Sequence, residues 1–158
     1  LDDLSGSGSQ AKRNTLQIIK FLRQENPYIQ IMFFTLFATT QALSNLKDLK
    51  LSDGTTPLFD IVSTLYELDN TYQVFNATSR YFQNTSQLSF LHNLCKNDYE
   101  HRCKANDIEP NDCGFGDTQL LLGFFYNIPN NTLPMFWAAS DQWHPLFKRY
   151  DKIYKVGI

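Results

Sequence analysis

The chain is short of charge. Asp, Glu, Lys and Arg make up 19% of its 158 residues, and the formal net charge is −2. An average soluble domain carries roughly a quarter. No basic run stands out, so the electrostatic footprint of a nucleic-acid or anionic-membrane binder is missing. Cysteine is scarce too, at 3. That is too few for the dense disulfide framework of a small secreted scaffold. With 42% hydrophobic residues the chain can fill a core without staples. Glycine numbers only 7, and Gly6 and Gly8 fall together in Ser5-Gly6-Ser7-Gly8-Ser9. This stretch has the composition of a flexible linker. Residues 1–9 therefore read as a linker, native or left from cloning, tethering Leu1-Asp2-Asp3-Leu4 to a single domain over residues 10–158. No nucleophile elbow is present, and Gly114-Phe115-Gly116 is too short to cradle a nucleotide.

Apolar spacing is what the chain does supply. Leu16, Ile19 and Leu22 share one side of a helix over Gln10–Gln24, ended by Asn26-Pro27. From Pro27, the positions of Ile29, Met32, Phe33, Leu36, Phe37 and Leu43 predict a central helix, apolar over most of its circumference. Residues 26–46 carry no charge, but Gln30, Thr35, Thr39, Thr40 and Gln41 argue against a transmembrane helix. Thr56 is placed to cap a third helix through Leu58, Ile61, Val62, Leu65, Leu68, Tyr72 and Phe75. Ser86 would cap a fourth, lined by Leu88, Leu91 and Cys95. Thr118–Ile128 suits a short fifth, and the segment from Pro145 a last one. The expectation is an all-α fold, an irregular bundle of about five to six helices or a short solenoid-like stack of helix pairs.

The three cysteines lie close together in sequence. Cys95, His101, Cys103 and Cys113 supply ligand types suited to zinc, though their spacing matches no finger or ribbon pattern. A Cys103–Cys113 disulfide would close the Lys104–Asp117 loop and leave Cys95 buried. Three separate thiols are the third option. Asn84 and Asn130 lie in glycosylation acceptor patterns within predicted loops. Together these features leave extracytoplasmic and cytoplasmic settings evenly matched.

No catalytic constellation emerges. His92 and His144 lack a nucleophile setting, and the carboxylates from Asp98 to Asp112 read as a solvated rim. The density of anchor-type side chains in Met135, Phe136, Trp137, Trp143, Phe147 and Tyr150 suggests a partner-binding surface. A plug for the bundle is the simpler alternative. The function expected is a cofactor-free, non-enzymatic helical interaction domain, binding another protein, a peptide, or the tethered Leu1–Leu4 segment. An extracytoplasmic ligand-sensing or assembly domain of a membrane protein is the first alternative, and a zinc-dependent enzyme the second.

Overall fold

The computed structural model describes residues 2–82, 84–103, 113–139 and 144–150, with backbone alone at residues 2 and 98–103. The elements in chain order are β1 (Asp2–Ser5), α1 (Ser9–Glu25), β2 (Met32–Thr39), α2 (Thr40–Lys47), β3 (Ile61–Leu68) and α3 (Thr85–Cys103). Short 3-10 turns occur at Asn70–Tyr72, Phe115–Asp117 and Pro134–Phe136. The strands form one three-stranded sheet in the order β1-β2-β3, and both pairings are parallel. The fold is therefore mixed α/β. It is neither an all-α bundle nor a solenoid-like stack.

The error arose at Met-Phe-Phe-Thr-Leu-Phe-Ala-Thr, residues 32–39. A run in which Thr35 and Thr39 alone are polar satisfies helical spacing and strand spacing at once. The aromatic and β-branched content favours a strand, and pairing on both sides makes it one. Over Met32–Thr35 the side chains alternate between exposed and buried. The helix expected from Pro27 survives only as α2. It begins where the Thr39 hydroxyl accepts the Ala42 N–H at 3.0 Å. The third expected helix is β3, which stops at Leu68. Thr56 caps no helix. Its hydroxyl and N–H, with the Thr55 N–H, all bond the Asp53 carboxylate. These donors, led by the Thr56 hydroxyl, hold the Asp53 pKa down to about 2.

The first helix lies where its periodicity put it. Its Asn26 N–H closes on the Leu22 carbonyl at 2.9 Å. Arg23 bonds Asp60 at 2.8 Å, and Asp60 also accepts the Ile31 N–H. This fastens the end of α1 to the starts of β2 and β3.

The chain divides into two compact units, Leu1–Thr71 and Tyr72–Ile158. In the first, Ala11 and Ile19 of α1 and Leu46 of α2 join Phe33, Leu58 and Phe59 in one core, with Leu16 and Val62 packed against it. That core covers one face of the sheet. Met32, Phe34, Leu36, Ile61 and Leu65 alternate to the other face and are 40 to 67% exposed.

In the second unit, α3 begins two residues earlier than Ser86 would place it, because Asn84 accepts the Ser86 N–H at 2.9 Å. Its core gathers Val74, Cys95 and Leu133, with Phe75, Leu91, Met135 and Phe136 against them. The helix expected over Thr118–Ile128 is absent. Gln119 has φ 52, and single bridges join Leu120 to Thr132 and Phe124 to Asn127. No described residue from Pro145 to Tyr150 is helical, and the rest of that expected helix lies outside the described residues. Among the described residues no helix is long and apolar enough to cross a membrane.

Two outcomes follow from the first unit. Phe33 is 8% exposed and packs its ring against that of Phe59, tilted by 47° with centroids 5.3 Å apart. Phe33→Ala should cost about 3–5 kcal/mol in urea unfolding. Asp53 is stabilised in its charged form, so its contribution is present above the unfolded pKa of 3.8 and is lost as pH falls towards about 2. The stability difference between the wild type and Asp53→Asn, followed by unfolding midpoint, should shrink across that window.

Candidate functional site

The connection from β1 to α1 is three residues long, Gly6-Ser7-Gly8. It must reverse the chain at the carboxyl end of β1 and enter a helix at once. Gly8 makes this turn with φ 79, a left-handed conformation that glycine adopts without a Cβ penalty. Space restricts the position as well. A Cβ on Gly8 would lie 2.9 Å from Leu46 Cγ and 3.1 Å from its Cδ2. Ser5, Gly6 and Gly8 are buried, and Ser9 is exposed. A segment with the composition of a flexible linker is thus a strand and a packed turn.

Two side chains hold this turn, Thr39 from the end of β2 and Asn45 from α2. The Thr39 hydroxyl donates to the Gly6 carbonyl at 2.5 Å, and the Asn45 amide donates to the Ser7 carbonyl at 3.0 Å. The Ser7 hydroxyl reaches the Ser9 hydroxyl at 3.1 Å. The first turn of α1 contains no acidic residue. Its leading N–H groups have no intrahelical acceptors and carry the positive end of the helix dipole. Asp3, half-buried on β1, accepts the Leu4 N–H at 2.8 Å. On the adjacent strand ends, the Thr40 hydroxyl donates to Glu67 at 2.7 Å. The arrangement presents oriented N–H donors, hydroxyls and a nearby carboxylate along the carboxyl edge of a parallel sheet, where α/β folds bind ligands.

None of these residues was a sequence candidate. The signal was present: an acidic pair, Asp2-Asp3, then a Gly/Ser turn directly ahead of a strongly periodic helix. Four residues of strand were too few to be recognised by alternation.

The residues that were candidates do not converge. Met135 and Phe136 pack in the second unit's core. Trp137 is half-buried, donates its indole N–H to the Thr132 carbonyl at 2.9 Å, and lies under the Arg149 guanidinium at 4.4 Å. Phe147 and Tyr150 are exposed, and Trp143 lies outside the described residues. Cys95 is buried with Sγ 3.0 Å from Met135 Sδ. Cys113 stands 3.8 Å from His92 Nε2, and the His92 ring stacks on Phe75. Both cysteines are thiols outside any disulfide, so the Cys103–Cys113 bridge is not formed. Instead Cys113 faces His92 on α3. The side chains of His101 and Cys103 lie outside the described residues. Among the described residues no three His, Cys, Asp or Glu side chains gather to hold a metal. Asn84 is exposed at the start of α3, whereas Asn130 is half-buried and its carbonyl accepts the Phe115 N–H.

Parallel strands joined by helices, with a glycine-tight strand–turn–helix connection at their carboxyl edge, make the first unit an α/β domain. A family model described as PRTase-CE matches residues 1–149, and the chain belongs to that family. The match includes the Gly/Ser turn. No curated protein and no solved structure matches the chain.

Gly8→Ala should lower the unfolding free energy by about 1 kcal/mol or more, through its φ and its clash with Leu46. Adding Leu46→Ala to Gly8→Ala should relieve the clash and leave the backbone strain. A double-mutant cycle by urea unfolding should therefore give a non-zero coupling.

Proposed function

We propose that the first unit is a phosphoribosyl-binding domain of a phosphoribosyltransferase, with residues 6–9 and the start of α1 receiving the 5-phosphate. The family's name abbreviates that activity. The observation that carries the reading is the packed Gly6-Ser7-Gly8 turn opening a 17-residue helix at the edge of a parallel sheet. A phosphate needs several donors at once, and backbone N–H groups at a helix start supply them without introducing a repelling charge. Asp3 is suited to the sugar, because a carboxylate accepts hydrogen bonds from ribose hydroxyls. In the transfer, a nucleophile on the acceptor forms a bond to the anomeric carbon. The bond from that carbon to the pyrophosphate oxygen breaks, and pyrophosphate leaves.

Of the described residues expected to form a partner-binding surface, Phe147 and Tyr150 are exposed. The phosphoribosyl reading is favoured because it uses a buried, tightly organised turn rather than scattered aromatics.

Calorimetric titration tests it. Ribose 5-phosphate and phosphoribosyl pyrophosphate, the latter as its magnesium complex, should both bind, and phosphate-free ribose should not. Asp3→Asn should weaken the pyrophosphorylated sugar by about tenfold, the loss expected for a charged hydrogen-bond acceptor. Failure of both phosphorylated sugars to bind the wild type would overturn the reading.

A further inference from the structure

We infer that Thr39 and Asn45 are positioning residues for the phosphate-receiving turn, acting through the carbonyls of Gly6 and Ser7. The inference rests on the phosphoribosyl reading and adds to it a specific means of orienting the donors. A trans peptide is planar, so the carbonyl of one residue and the N–H of the next point in opposite directions. The Thr39 hydroxyl draws the Gly6 carbonyl towards the β2–α2 connection, at 2.5 Å. The Ser7 N–H must then point away from it. The Asn45 amide draws the Ser7 carbonyl the same way, at 3.0 Å. The Gly8 N–H must also point away. Two side chains, one at the cap of α2 and one within it, therefore aim two consecutive donors outward from α2.

Each of these side chains is itself held. Thr39 is 8% exposed, and its oxygen accepts the Ala42 N–H at 3.0 Å while its one hydrogen goes to Gly6. The hydroxyl is not free to rotate. The Asn45 carbonyl oxygen accepts from the Gln41 amide at 2.7 Å, which leaves its nitrogen for Ser7. Leu46, the next residue on α2, closes the turn from behind at Gly8. Preorganisation of this kind adds affinity because the turn need not be ordered when the ligand arrives.

The test compares Thr39→Val, Thr39→Ser and Asn45→Ala with the wild type. Calorimetry with ribose 5-phosphate gives affinity, and amide NMR shifts of Ser7 and Gly8 give donor orientation. Thr39→Val and Asn45→Ala should each weaken ribose 5-phosphate by about tenfold, the worth of one hydrogen bond to the turn. Both should move the Ser7 or Gly8 amide signals, and Thr39→Ser should restore wild-type binding. Thr39→Val also removes the cap of α2, so its affinity is measured well below its unfolding temperature. Asn45 is exposed, and Asn45→Ala tests the same idea without that burden. Wild-type affinity in both Thr39→Val and Asn45→Ala would overturn the inference while leaving the phosphate site intact. Absence of binding by the wild type would overturn the phosphoribosyl reading and the inference with it.

Discussion

The approach of Gly8 to Leu46 is the constraint on which the first unit depends. The backbone there comes so near the Leu46 side chain that a Cβ would force Leu46 to shift. That contact sets how α1 leaves β1 and where α2 must lie. It also places Thr39 and Asn45 within reach of the turn's carbonyls. Loop, helix start and neighbouring helix are thus one packed object. The same glycine gives the turn its sharpness and lets the start of α1 sit against Leu46.

The sequence was informative where side-chain chemistry was decisive and ambiguous where pairing was. The amphipathic spacing of Leu16, Ile19 and Leu22 located α1, because a solvated helix has one wet side. The region of α3 was located by the same logic. Residues 32–39 defeated that logic, since a strand within a parallel sheet can be apolar throughout. Parallel pairing is made with chain segments distant in sequence, and no local period records it. Residues 1–9 failed for another reason. Gly and Ser mean flexibility when nothing packs on them. Here Leu46 packs on Gly8, and that contact is invisible to composition. The acidic pair before the turn was the available clue, and its weight depended on recognising a strand of only four residues.

In the second unit Cys95 and Cys113 have different surroundings. Cys95 went into an apolar core against Met135, as its place on the helix suggested. Cys113 went to the rim beside His92, next to a stretch in which Gly114, Gly116, Asp117 and Gln119 all have positive φ. A backbone bent so often cannot continue a helix, and this explains why the apolar run after Thr118 forms isolated bridges instead.

The uncovered side of the sheet has a thermodynamic consequence. Met32, Phe34, Leu36, Ile61 and Leu65 are already wet in the folded chain. Unfolding therefore newly hydrates less hydrocarbon than a fully clad parallel sheet of this size would. Denaturant sensitivity and the heat-capacity increment both scale with newly exposed surface. A sheet with one wet face thus adds less to both quantities than one clad on both sides, and its share of the stability changes less steeply with temperature.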